Sequence, residues 1–278
     1  MPPPGLWKLN FFDTLIHENQ RKGIELKMSE LTRVKFTEEQ QTIKECVEAY
    51  WTKRADGFYD LREAELHSNK YARWEKEILE QLPEKNCLNV LDVGCGCGFF
   101  GIILSRRGHQ VTGIDLTPSM IERGRKLVQE QDCQVNLQVM DAEKLDFEDE
   151  SFDVVISRNL TWTLPHPLVA YAEWKRVLKK GGTILNYDAE YAKNHHHKDL
   201  TKENGHEGLS RELNEECHRI YHMLTISSLS RPAWDVAVLE ELGMQVDEVD
   251  DLVSYRIYHE KDRFYNTDTL FRIKALKK

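Results

Sequence analysis

The chain has 278 residues, of which 40% are hydrophobic and 31% charged, the ordinary balance of a globular protein. A net charge of −9 argues against a nucleic-acid binder, because neutralising phosphates needs a concentrated basic surface. No apolar run approaches the ~20 residues of a membrane span, and Met1-Pro2-Pro3-Pro4-Gly5 lacks the features of a signal peptide, so a cytoplasmic protein is expected.

Residues 1–36 read as an N-terminal extension. Met28-Ser29-Glu30 has the look of a native start, which would make residues 1–27 an upstream addition. The alternative is an amphipathic arm whose Leu6, Trp7, Leu9, Phe11, Phe12, Leu15 and Ile16 cover a neighbour. Residues 37–86 read as a helical lid. Thr37-Glu38-Glu39-Gln40 is a capping box, and Ile43, Val47 and Tyr50 follow at helical spacing. A second helix is expected from Leu66 to Leu82, presenting Tyr71, Trp74 and Ile78 and ended by Pro83.

Residues 87–188 then alternate strand and helix, at 88–93, 99–107, 111–115, 118–130, 135–140, 153–158, 168–179 and 183–188. Gly108 stops the first of these helices, and Thr117-Pro118 caps and opens the second. Such alternation predicts an α/β fold, a doubly wound, mainly parallel sheet with helices on both faces. Residues 189–230 break the rhythm; they are polar and His-rich, helical from Arg211 to Met223, and read as a cap insertion. The final part, 231–278, resumes with a helix from Pro232 to Leu242 and two strands near Gln245–Tyr258 and Thr269–Ala275.

The most informative stretch is Val90-Leu91-Asp92-Val93-Gly94-Cys95-Gly96-Cys97-Gly98. An apolar strand runs into an acid and then into glycine at every second position, a turn that leaves bare backbone for a ligand. The helix after it aims its free N–H groups back at the loop. Gly96-Cys97-Gly98-Phe99-Phe100-Gly101 satisfies the dinucleotide pattern G-x-G-x-x-G, but a carboxylate beside the glycines would repel a pyrophosphate. It would instead answer an ammonium. The next strand, Val111-Thr112-Gly113-Ile114-Asp115, ends in an acid suited to two ribose hydroxyls.

The other register, Asp92-x-Gly94-x-Gly96-x-Gly98, resembles motif I of the class I S-adenosylmethionine (SAM) methyltransferases. Asp141-Ala142-Glu143-Lys144-Leu145, Ser151-Phe152-Asp153-Val154-Val155-Ile156-Ser157 and Val177-Leu178-Lys179-Lys180-Gly181-Gly182 follow in the family's order. The resemblance is greatest to the branch of ubiquinone/menaquinone-type small-molecule enzymes. It covers about Leu88 to Gly182 well, with Lys180 standing where the family usually has proline. It implies a Rossmann-like seven-stranded sheet closed by an antiparallel C-terminal hairpin, a helical cap, and SAM as cofactor.

Carried onto this sequence, the resemblance places Gly94, Cys95, Gly96 and Gly98 against the methionine moiety with Asp92 nearby. Asp115 would take the ribose, Leu116 the adenine face, Asp141 the adenine amino group, and Ala142 would offer a ring N–H contact. Arg158, Asn159 and Leu160 would line the cofactor near the sulfonium. Asp115 could equally cap the turn before Thr117, and Asp141 could be a solvated loop carboxylate.

Related enzymes also fold an aromatic/arginine segment over the cofactor, here Tyr50-Trp51-x-x-Arg54-x-x-x-x-Tyr59. Arg54 would pair with the cofactor carboxylate, its fork suiting that group better than lysine, and Tyr59 would face the methyl or the acceptor. The other reading is a helix packing its aromatics into the core. Trp162 is a candidate wall of the acceptor pocket, and Asp188, at the end of the fifth strand, a candidate acceptor contact or base.

No metal is expected: His195-His196-His197 splay apart on a loop, and His218 with His222 lacks a third ligand. The six cysteines show no disulfide framework, and Cys95 and Cys97 read as small filler side chains. Two rivals stand beside the SAM-dependent reading. One is an NAD(P)-type oxidoreductase using the overlapping glycines; the other is a SAM-binding regulator without turnover. The acceptor (quinone-like ring, amine, thiol or metalloid), the atom methylated and the oligomeric state are left open.

Overall fold

Seven strands build one sheet among the described residues. The structure, a computed structural model, describes residues 38–191, 209–260, 262–264 and 268–278. The strands are β1 (Asn89–Val93), β2 (Gln110–Asp115), β3 (Asn136–Val139), β4 (Phe152–Arg158), β5 (Leu178–Asp188), β6 (Met244–Asp250) and β7 (Phe271–Lys277). They lie in the order β3-β2-β1-β4-β5-β7-β6. The first five are parallel, while β7 runs antiparallel to both β5 and β6. The predicted mixed sheet is therefore present. Its order reverses between β1 and β4, and in open α/β sheets the crevice at such a reversal, beyond the C-terminal strand ends, binds ligands.

Helices cover both faces: α1 (Glu38–Leu66), α2 (Asn69–Leu79), α3 (Phe99–Arg106), α4 (Pro118–Glu130), α5 (Pro167–Val177), α6 (Arg211–Met223), α7 (Ala233–Glu241) and α8 (Val253–Tyr258). Strand residues alternate between the two layers, as a period of two requires. Val90, Val154 and Ile156 pack with α1 to α4, whereas Leu91, Val93 and Val155 pack with α5 and α7. No described helix is long and apolar enough to cross a membrane.

Three local expectations change. The second helix, expected from Leu66 to Leu82, runs Asn69–Leu79: the first occupies 29 residues as far as Leu66, and Ser68 then caps α2 by accepting from the Lys70 N–H. Thr37 of the expected capping box lies outside the described residues. Thr117 stands at the N-cap of α4, but its side chain makes no cap bond. Its own N–H instead donates to Asp115 Oδ1 at 2.9 Å. The strand expected over 245–258 ends at Asp250, and Val253–Tyr258 is helical.

Candidate functional site

A cavity of about 210 Å³ opens at the C-terminal ends of β1, β2 and β4, with α1 laid across it. Two of the ties that hold helix α1 flank this cavity. Lys44 Nζ donates to Asp141 at 2.5 Å and pairs with Glu143 at 2.6 Å. About six turns later Glu65 meets Arg158 at 3.1 Å. Between these ties the Phe58 ring lies 3.6 Å from where a Cβ on Gly96 would stand, so the helix packs directly over the glycine turn.

The turn itself is built on positive φ at Gly94, Gly96 and Gly98, at +67°, +52° and +81°. At Gly94 a Cβ would stand 2.7 Å from a Leu160 methyl, so this position joins the turn to the loop after β4. Gly98 takes the N-cap of α3 and is not on the cavity wall. Asp92, Gly94, Cys95 and Gly96 are on the wall, as are Asp115, Leu116, Asp141, Ala142, Arg158, Asn159 and Leu160.

The acids differ in their surroundings. Asp92 Oδ2 is buried with no hydrogen-bond partner among the described residues. Burial, reinforced by the charge of Asp115, pushes the Asp92 carboxyl up to about 7 against the pull of the Gly101 N–H and Arg158. Asp115 accepts from the Gly96 N–H at 3.0 Å and the Thr117 N–H at 2.9 Å. Burial still raises it above the ordinary carboxylate range. Each of its oxygens keeps a second lone pair. Asp141, with Lys44 on one oxygen, accepts the Glu143 N–H on the other at 2.9 Å.

The far end of α1 carries a cluster that sequence reasoning missed. Arg62 and Arg158 both pair with Glu65, whose burial is outweighed by the two guanidinium groups, so its carboxyl lies below the ordinary range. Arg158 stacks over Trp74 at 4.6 Å and Phe99 at 5.2 Å, and Arg62 over Phe58 at 4.7 Å and Phe99 at 5.9 Å. Tyr258 hydrogen-bonds both Arg158 and Glu65. Arg62 Nε is buried without a partner among the described residues.

The rest of the wall is aromatic. Trp162 lies 6.4 Å from Trp51, 5.2 Å from Tyr191 and 4.9 Å from Tyr221, centroid to centroid. Tyr50 and Arg54 are both on the wall, the guanidinium donating to the Tyr50 hydroxyl at 3.2 Å. Burial raises the Tyr50 phenol, with Cys217 of α6 adding to the effect, which keeps it protonated.

Besides Gly98, two expected residues lie elsewhere. Tyr59 is off the cavity wall, donating to Glu130 of α4 with the Lys126 ammonium 4.6 Å over its ring. Asp188 is fully buried behind the wall. It accepts from Thr161 and from the N–H of Trp162, and pairs with Arg231 at 3.1 Å. A carboxylate so enclosed is a brace for the 161–163 turn; it does not reach the cavity. Among the described residues no group of three or more His, Cys, Asp or Glu side chains could hold a metal ion. His218 and His222 stand together with Nε2 atoms 3.3 Å apart, and residues 195–197 lie outside the described residues. All six cysteines are free thiols. Burial pushes Cys97 up to about 12 and raises Cys95, so both stay protonated.

Residues 91–186 match the family described as a methyltransferase domain, in accord with the resemblance read from the motifs. The chain is 34% identical over 130 residues to the demethylmenaquinone methyltransferase of Staphylococcus aureus, covering 46% of this chain and 54% of that protein. It thus spans about half the length of the curated relatives it matches. A SAM-dependent methyltransferase from Aquifex aeolicus superposes with a TM-score of 0.50 at 18% identity, covering 77% of this chain and 96% of that one. The [4+2]-cyclase SpnF superposes with 0.51 at 16% identity over 74% and 80%. The two solved structures share the fold, and the cyclase shows that it does not dictate one reaction.

Proposed function

On a chain whose residues 91–186 match the methyltransferase domain, we propose that the protein transfers a methyl group from SAM to a small-molecule acceptor, releasing S-adenosylhomocysteine. The observation that carries this reading is the orphaned, buried oxygen of Asp92 beside a bare glycine turn. An ammonium satisfies that oxygen and stabilises the ionised carboxylate, whereas a pyrophosphate would meet repulsion there. This is what separates the SAM reading from the dinucleotide one.

The remaining donors and acceptors fit the same ligand. Asp115 keeps lone pairs for two ribose hydroxyls, Leu116 gives an apolar face, and Asp141 with Ala142 offers an acceptor and an N–H for adenine. Arg62 and Arg158 stack on Phe99, the first residue of the helix after the glycine turn. With one carboxylate between them they hold a net positive charge there, which suits the cofactor carboxylate better than does Arg54 on the aromatic side.

The cofactor supplies a methyl already activated by its sulfonium, so the protein's task is placement. Holding a nucleophile about 3–3.5 Å from that carbon, in line, can supply up to ~7–11 kcal/mol of the barrier. Neither Tyr59 nor Asp188 reaches the cavity, so no base from those two residues enters this reading. Residues from α1, the 161–163 turn and α6 form the acceptor side, in the manner of a cap. Six free thiols are in keeping with a cytoplasmic setting.

Calorimetric titration of the protein with SAM, S-adenosylhomocysteine and NADH tests the reading, with Asp115→Ala alongside. Micromolar binding of the two adenosyl ligands, lost in the variant and absent for NADH, supports it and opens a labelled-methyl screen of acceptors. NADH binding without a response to SAM overturns it.

A further inference from the structure

The charges on the cavity wall do not cancel locally, and the remainder says something about the acceptor. The argument rests on the cofactor assignment just made. Arg62 and Arg158 share Glu65, leaving one positive charge near the glycine turn, with Arg62 Nε buried and unpartnered. Arg54 is a second, separate cation on the same wall, and no carboxylate among the described residues lies within ion-pairing distance of it. Its one hydrogen-bond partner among the described residues is the Tyr50 hydroxyl, which burial keeps neutral. Two local positive charges therefore face one cavity, while SAM carries one carboxylate.

The setting of Arg54 fixes what the second anion is attached to. One helical turn of α1 joins it to Tyr50 and Trp51, and Trp51 leads to Trp162, Tyr191 and Tyr221 through ring contacts of 4.9–6.4 Å. Trp162 Nε1 is buried on this wall with no acceptor among the described residues. A guanidinium fork and an indole N–H, both lacking an acceptor of the right kind, sit within an aromatic chamber. A neutral oxygen could accept from the indole N–H but would leave the guanidinium charge without a counter-ion. A planar carboxylate answers the fork bidentately.

We propose that the methyl acceptor is a small aromatic or otherwise apolar carboxylic acid, with its carboxylate held by Arg54 and its body among Trp51, Trp162 and Tyr221. Arg54 is then a specificity residue for the acceptor. It holds the acid group and leaves the remainder of the molecule to lie toward the methyl.

Three probes test this on the full chain loaded with S-adenosylhomocysteine: benzoate, phenylacetate and indole-3-acetate, each paired with its primary amide and titrated by calorimetry. At least one acid is expected to bind tenfold or more tightly than its amide, and Arg54→Leu to abolish that preference. S-adenosylhomocysteine affinity should stay within twofold in Arg54→Leu and fall at least tenfold in Arg62→Leu. Retained cofactor binding in Arg54→Leu also certifies that the variant is folded. A set in which no acid is preferred over its amide overturns the proposal. So does an Arg54→Leu variant that loses S-adenosylhomocysteine as Arg62→Leu does, since Arg54 would then hold the cofactor while the methyltransferase reading stands. Failure of the unaltered protein to bind S-adenosylhomocysteine removes that underlying reading instead.

Discussion

Replacing Gly94 by alanine tests whether the glycine turn and the loop after β4 are fitted to each other. Two costs arise. The residue sits at φ +67°, where an L side chain loses about 1–2 kcal/mol. The new Cβ would also stand 2.7, 2.9 and 3.0 Å from Cδ1, Cδ2 and Cβ of Leu160. The methyls can swing away, but Cβ is fixed to the backbone, so the loop itself must yield, at roughly 1–3 kcal/mol. Gly108 provides the control: its φ is +81° and a Cβ there meets nothing within 4 Å. Gly108→Ala should lose only the backbone cost, partly offset by about 0.4–1 kcal/mol from a stiffer unfolded chain. Urea unfolding followed by tryptophan fluorescence, compared at a common m-value, should put Gly94→Ala about 1–3 kcal/mol below Gly108→Ala. Removing the Leu160 Cβ as well, with Leu160→Gly in the Gly94→Ala background, should recover about 1 kcal/mol beyond additivity, and none in the Gly108→Ala background. Equal losses for the two glycines, within about 0.5 kcal/mol, or no coupling to Leu160, would refute the reasoning.

Asp92 sets a pH dependence. Its carboxyl lies at about 7 in the fold against roughly 4 unfolded, so the unliganded protein should lose stability as pH rises across that interval, through burial of the ionised form. A cationic ammonium reverses the penalty, so S-adenosylhomocysteine affinity should climb up to pH 7 and level off above it. Asp92→Asn should flatten that profile; calorimetry in buffers of different ionisation enthalpy reads the released proton. Arg231→Met strands the carboxylates of Asp188 and Asp235, now 3.1 and 2.7 Å from the guanidinium, in the core. The expected loss is about 3–5 kcal/mol by urea unfolding, and a loss under about 1 kcal/mol speaks against a tightly buried network. Tyr59→Phe removes a surface bond to Glu130 and should leave S-adenosylhomocysteine affinity within twofold, whereas a tenfold loss would return Tyr59 to the site.

The sheet and the glycine turn were legible because they depend on short-range rules. Alternating apolar residues, Gly94 to Gly98 and the Thr117-Pro118 start need no distant partner to be recognised. Val253-Ser254-Tyr255-Arg256-Ile257-Tyr258 misled because it satisfies two periods at once. Val253, Tyr255 and Ile257 alternate like a strand, while Val253 and Ile257 are also one helical turn apart. Tertiary contacts choose: Val253, Ile257 and Tyr258 are buried and Tyr255 is 74% exposed, as a helix requires. Lys44, Arg62 and Glu65 went unseen for a different reason. Each is a charged residue of α1 whose type alone reads as surface, and only their partners, Asp141, Glu143 and Arg158, mark them as buried. Asp188 was misjudged because its position at a strand end says where its backbone lies; Arg231 and Thr161, which enclose it, come from other parts of the chain.

The order of the sheet also bears on how the chain comes together. β7 is last in sequence among the seven strands, yet it lies inside the sheet, paired with β5 on one side and β6 on the other. Until it docks, β5 is an unpaired edge with a row of free N–H and C=O groups, and β6 has no ladder at all. During synthesis the parallel strands can associate as they emerge, but two seams must wait for one late segment. Any agent that delays residues 271–277 leaves a sticky border on an otherwise assembled domain. A chaperone, or another nascent chain, would compete for that border in the same interval.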